Sequence, residues 1–168
     1  MSYEQHQELS RNVAVRCAVV TLSDSRTIDT DVSGKTIVQL LTQWNHPVVF
    51  HEVLKDEPAP FELCLRQLLA REDVDAILTA GGTGISRRDQ TIAVVAAIIE
   101  QPLPGFGELF RMLSYQQIGS GAMLSRASGG IANGKVIFAM PGSPAAVELA
   151  MTKLILPEIR HLVHQLRK

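Results

Sequence analysis

Gly81-Gly82-Thr83-Gly84, followed by Arg87-Arg88-Asp89, is the stretch of this 168-residue chain best equipped for chemistry. Three glycines let the backbone take turns of positive φ and approach a ligand closely, and their amides can point at an anion. Ahead of a helix N-terminus such a loop cradles phosphate; a tight strand-to-helix turn is the plainer alternative. The two cations that follow can hold a polyphosphate. Asp89 beside them can hold a divalent metal bridging the same phosphates, unless the run is a solvated charged loop. Asp56 closes an apolar stretch beside Glu57 and is either an exposed loop acid or a metal or base carboxylate that pairs with Asp89. Asp24 and Asp31 are further candidates to attract Mg²⁺, Asp31 and Ser33 being otherwise helix-capping or rim residues.

Several familiar arrangements fail on spacing. Gly34-Lys35-Thr36 resembles the end of a phosphate-binding P-loop, but the glycine needed five residues earlier is Asp29. Gly82-Thr83-Gly84 begins a dinucleotide fingerprint whose third glycine position is Arg87. A calcium loop starting at Asp29 would require a bidentate Glu where Leu40 stands. His161 and His164 lie three apart without a third ligand, which suits a surface or an interface. Cys17 and Cys64 sit in apolar stretches outside any CxxC or Cys/His cluster and read as reduced core thiols.

These residues need a scaffold. Val13–Leu22, Pro47–Leu54, Val74–Ala80 and Lys135–Met140 are apolar runs of strand length. Between them, Ile37, Leu40, Leu41 and Trp44 fall on one helical face, with Ser33 as the N-cap. Phe61, Leu65, Leu68 and Leu69 form another such face after Pro58 and Pro60, and Ile92, Val95, Ala96 and Ile99 a third, which Pro102 and Pro104 stop. Phe106–Tyr115 reads as helix, and Ile118–Gly134 leaves room for a short hairpin. A last helix starts at Pro144, with a kink at Pro157. Strands alternating with helices predict an α/β fold with a mainly parallel sheet and helices on both faces. Ligands of such sheets bind beyond the carboxyl ends of the strands, here Ser23-Asp24, Asp56, Gly81–Gly84 and Pro141–Ser143, which are expected to share one rim.

The length fits one domain over residues 13–168, preceded by a polar arm, 1–12, without periodicity. With 46% hydrophobic and 20% charged residues the chain is composed as an ordinary globular protein. A net charge of −1 argues against a coat for nucleic acid or an anionic membrane, though not against a local anion site. The sum conceals a separation: residues 13–80 carry six basic and ten acidic side chains, residues 81–168 nine basic and five acidic. An acidic half that recruits Mg²⁺ facing a basic half that holds phosphate is what a metal-bound polyphosphate needs. The polar start lacks the apolar core of a signal peptide, and no apolar run approaches the ~18 residues of a membrane span, so a cytoplasmic location is expected.

Thr79–Asp89, Pro104-Gly105-Phe106-Gly107-Glu108, Ser125-Arg126 and Met140-Pro141-Gly142-Ser143 together resemble, in the same order, the molybdenum cofactor biosynthesis family that includes molybdopterin adenylyltransferase. Thr21–Asp24 and Asp31–Gly34 fit the family's first strand and loop, and Gly107–Ser114 with Phe138–Ser143 is most similar to its protein B subgroup. The resemblance implies a three-layer α-β-α sandwich of molybdopterin-binding type that assembles as a homo-oligomer, a trimer or a hexamer. It implies binding of molybdopterin, whose terminal phosphate attacks the α-phosphate of MgATP. Asp56 and Asp89 would be the essential acids and would hold Mg²⁺. Gly81, Gly82, Thr83 and Gly84 would lie against phosphate or pterin. The substrate site would also take in Ser23, Asp24 and Arg88, then Gly105 and Glu108, and finally Ser125, Arg126, Pro141, Gly142 and Ser143. Two alternatives stay open: a non-catalytic molybdopterin carrier that assembles with other enzymes of cofactor synthesis, and an unrelated nucleotide binder on the same fold.

Overall fold

Six consecutive residues buried on both faces, Cys17–Leu22, form strand β1; continuous burial of this kind marks a parallel strand covered by helices. In the computed structural model, which describes residues 2–168 (His6 by its backbone alone), β1 runs parallel to β2 (Val48–Leu54) on one side and to β3 (Ala76–Ala80) on the other. Strand β3 pairs in parallel with the fourth expected strand, Lys135–Met140. That strand is β6, because two short strands precede it: β4 (Gln101–Pro102) and β5 (Ser128–Ala132), both antiparallel additions at one edge. The sheet order is β2-β1-β3-β6-β5-β4. The hairpin between β5 and β6 turns at Asn133 (φ 47°) and Gly134 (φ 68°), the pair of positive-φ residues that a two-residue hairpin loop favours.

Alternating strand residues feed two apolar layers. On one face Cys17, Val19, Leu78 and Phe138 meet helices α2 (Val32–Gln43), α5 (Pro104–Ile118), α6 (Pro144–Ala150) and α7 (Leu156–Leu166). On the other, Ala18, Val20, Ile77 and Ile137 meet α3 (Pro58–Ala70) and α4 (Thr91–Ile98). The result is the expected α-β-α sandwich. Cys17 and Cys64 are both free and buried; burial pushes the Cys64 thiol up to about 11 and raises that of Cys17 further still.

Three local readings change and a fourth takes a definite form. Residues 1–12, expected as a loose arm, contain helix α1 (Tyr3–Ser10), opened by a capping box between Ser2 and Gln5. It is held to α7 by polar contacts: the Tyr3 hydroxyl donates to Glu158, and Gln7 Nε2 donates to the same carboxylate at 3.1 Å. A helix fixed this way shows no apolar periodicity. The cap of α2 is Asp31, not Ser33: its Oδ1 accepts from the Gly34 amide at 3.0 Å. Pro104 opens α5 rather than stopping the helix before it, since a proline's fixed φ suits a first turn. The kink at Pro157 appears as a π-helical turn, Met151–Ile155, between α6 and α7, where the proline cannot supply the amide that regular α-helix requires.

His46 is buried, its Nδ1 accepting from the Val15 amide at 3.1 Å. Burial, and then the charge of Arg160, lower its pKa from 6.5 to about 4. The unfolded chain therefore takes up a proton near pH 6.5 that the native protein refuses until about pH 4, so stability falls as pH drops through that window, by up to roughly 3 kcal/mol. His46→Asn should flatten this part of the pH profile. Urea midpoints at pH 7 and 4.5 that shift equally in the variant and the wild type would remove His46 as the cause.

Candidate functional site

Strands β2, β1, β3 and β6 are adjacent and parallel, so their carboxyl ends open along one rim. The loop after β1 brings Ser23, Asp24 and Arg26, and that after β2 brings Asp56. The loop after β3 carries Gly81–Gly84, Arg88 and Asp89, and the one after β6 carries Pro141–Ser143. A cleft of about 580 Å³ lies there. Ser23 lines it from the loop after β1, Gly81, Gly82, Thr83, Gly84 and Asp89 from the loop after β3, Pro141, Gly142 and Ser143 from the loop after β6, and Ser125 from the segment before β5.

The glycine loop is packed so closely that side chains have no room. Gly81, at φ +108°, donates its amide to the Met140 carbonyl at 3.0 Å, and a Cβ there would stand 2.3 Å from the Leu22 carbonyl oxygen. On Gly82, at φ +63°, a Cβ would lie 2.1 Å from Thr91 Oγ1 and 2.9 Å from Asp56 Oδ1. On Gly84 it would meet Asp89 Oδ2 at 2.8 Å, and on Gly142 the Gly81 Cα at 3.1 Å. Two carboxylates thus border the loop itself.

The acids differ in their electrostatics. Hydrogen bonds from Ser86 hold Asp89 below the usual carboxylate range, helped by the Gly84 amide and by Arg126; the Ser86 amide lies 2.8 Å from Oδ2. Asp56 is raised, first by burial and then by the neighbouring charges of Asp89 and Asp24, with Arg88 opposing. Asp24 is already engaged: Oδ1 accepts from the Asp56 amide at 3.2 Å, and Oδ2 pairs with Arg88 at 2.7 Å. Among the described residues no three His, Cys, Asp or Glu side chains group closely enough to hold a metal by themselves.

Other candidates sit elsewhere or are otherwise occupied. Arg126 donates to the backbone carbonyls of Thr83 and Asp89, fastening the glycine loop. Gly105 lines an apolar groove with Leu154 and Pro157, and Glu108 a small cavity with Arg111 and Ser128; neither lines the cleft at the strand ends. Both lie in the first turns of α5, beyond β4, on a different part of the surface. Asp31 is not a rim residue: it is fully buried, and its Oδ2 has no hydrogen-bond partner, with Thr21 Oγ1 and His51 Nε2 in the same condition around Gly34. Cleft residues that the sequence reading passed over are Ser25, Arg26 and Leu124. Arg26 had one available signal, a cation three residues after Ser23 in a loop already assigned to the rim.

Known proteins resemble this chain over nearly its whole length. A family described as "Probable molybdopterin binding domain" matches residues 18–161. The chain is 48% identical to molybdenum cofactor biosynthesis protein B of Bacillus anthracis, and 44% identical to that of Bacillus subtilis, covering all of this chain and 99% of each relative. Among solved structures, a crystal structure of molybdenum cofactor biosynthesis protein B superposes with a TM-score of 0.90 at 50% identity, covering 92% of this chain and 97% of that one. The tungsten cofactor synthesizing protein MoaB from Pyrococcus furiosus superposes at 0.83 with 31% identity, covering 92% and 98%.

Proposed function

Since the chain belongs to the molybdopterin-binding-domain family of molybdenum cofactor biosynthesis proteins, we propose that it binds molybdopterin in the strand-end cleft and adenylylates its terminal phosphate with MgATP. An oxygen of that phosphate attacks the α-phosphorus of ATP. A new P–O bond forms, the bond from the α-phosphorus to the α,β-bridging oxygen breaks, and pyrophosphate leaves with the electron pair. Little covalent work falls to the protein in such a transfer; positioning and charge stabilisation dominate. The Gly81 amide is spent on the Met140 carbonyl and that of Gly84 on Asp89, which leaves the amides of Gly82 and Thr83 to serve as donors to phosphate oxygens. Asp56 and Asp89 are the pair suited to Mg²⁺, which commonly takes one or two carboxylates and completes its shell with phosphate oxygens and water. Both carboxylates border the same loop: Asp89 is held there by Ser86 and the Gly84 amide and kept below the usual carboxylate range, and Asp56 Oδ1 stands beside Gly82. Bound there, Mg²⁺ would offset charge on the phosphates.

The observation that carries this reading is a glycine loop without room for a Cβ, bordered by Asp56 and Asp89. Incubation of the protein with molybdopterin and MgATP should yield adenylyl-molybdopterin. Pterin binding with no such product would favour the carrier reading.

We also propose a homo-oligomer, a trimer or a hexamer. On α5, Phe106 and Phe110 are buried in the chain's own core. Leu109, Met112, Tyr115 and Ile118 instead form an exposed apolar strip along α5. Light scattering should give three or six times the 18.4 kDa chain; the mass of a single chain would contradict the assembly. No helix among the described residues is long and apolar enough to cross a membrane.

A further inference from the structure

The cations most visible in the sequence near this cleft do not line it and are already occupied. Arg88 is 77% exposed and paired to Asp24, and Arg126 is spent on two backbone carbonyls. Among the described residues the one cation lining the cleft is Arg26, in the loop after β1. Its backbone amide is tied to Ser23 Oγ at 3.2 Å. Its Nη1 donates to Ser33 Oγ at 3.3 Å and to the Gly142 carbonyl at 3.2 Å, while Ser33 Oγ donates to the same carbonyl at 2.7 Å. Behind it, 3.8 Å away, stands the fully buried carboxylate of Asp31.

One edge of the guanidinium is therefore anchored. Nε and Nη2 make no hydrogen bond among the described residues, and the side chain keeps 34% of its surface open. An arginine held by one nitrogen retains a planar fork on the others, the geometry that matches a phosphate. The cleft needs such a donor, because Asp89 lines it too and an unscreened carboxylate repels a phosphate dianion.

We propose that Arg26 is the residue that grips a phosphate ester of the bound ligand, with Asp31, Ser33 and Gly142 fixing its orientation. This rests on the molybdopterin and MgATP reading above, and two sources of the phosphate are open to it, the pterin side chain and the nucleotide. Arg26 meets the ligand directly; Asp31 is a positioning residue.

The test is a binding titration of the full-length protein with three probes: molybdopterin, its dephosphorylated form and MgATP. Arg26→Gln should weaken at least one phosphate-bearing probe about tenfold or more, leave the dephosphorylated pterin within twofold, and lose more than Arg88→Gln does. Which probe suffers identifies the phosphate. Arg26→Lys, which keeps the charge without the fork, should recover part of the loss. Arg66→Gln, on the far surface of α3 and paired with Glu62, controls for net charge, and an unchanged melting temperature shows that the variants are folded. Undiminished affinity of Arg26→Gln for both phosphate probes would overturn the proposal, as would an equal loss for the dephosphorylated pterin. Failure of the wild type to bind molybdopterin at all would instead remove the functional reading beneath it.

Discussion

Asp89→Asn and Asp56→Asn should each slow adenylyl transfer by about a hundredfold or more while changing molybdopterin affinity less than threefold. Losses of this size are typical when a charge-stabilising group at a phosphoryl or acyl centre is removed. Asparagine keeps the shape of Asp89, and its side-chain oxygen can still accept from the Ser86 amide, so the turn from Ser86 to Asp89 survives the exchange. What disappears is a full negative charge beside the glycine loop and, with it, the affinity for Mg²⁺ carried on nucleotide phosphates. The defect should therefore be partly relieved by raising Mg²⁺ or by substituting Mn²⁺, which a merely structural lesion would not show. At Asp56 the same change also relieves repulsion among three acids, since burial and the charges of Asp89 and Asp24 already disfavour its ionised form. Asp56→Asn should thus retain or slightly gain stability while losing turnover. Equal turnover in either variant would remove that acid from the machinery.

Gly81→Ala should be the most damaging small substitution in the chain. At φ +108° an L-residue is strained, by about 1–3 kcal/mol. In addition, its methyl would sit 2.3 Å from the Leu22 carbonyl oxygen, a backbone atom that cannot swing aside. Relief requires β1 and β3 to part at their carboxyl ends, where the cleft is built. A melting temperature lower by about 10 °C is expected, at about 2–4 °C per kcal/mol for a chain of this size, together with loss of molybdopterin binding. Gly119→Ala is the informative contrast. Its φ of +68° is also positive, but a Cβ there meets nothing within 4 Å, so only the modest backbone cost remains. Equal melting temperatures for the two variants would show that close packing of the strand ends is not what Gly81 provides.

The parts of this architecture written locally were readable in advance. Val- and Ile-rich runs locate β1, β3 and β6, and the glycines after β3 locate the loop, because an apolar run and a backbone turn are properties of consecutive residues. What depends on distant partners was not readable. Helix α1 owes its place to Glu158, on the last helix. Arg26 became a cleft residue only through Gly142, 116 positions away. Asp31 looked like a rim acid because its buried surroundings, Thr21 and His51, come from β1 and β2. Gly105 and Glu108 entered through resemblance rather than spacing, and the fold sets them on α5, away from the strand ends.

The central claim, AMP transfer from MgATP to molybdopterin, is most directly tested by following both ends of the nucleotide. With ATP labelled at the α-phosphorus, the label should pass to the pterin in step with turnover. With ATP labelled at the γ-phosphorus, it should appear in pyrophosphate in equal amount. Label that remains in ATP while molybdopterin stays bound, or γ-label released as inorganic phosphate in place of pyrophosphate, would contradict it.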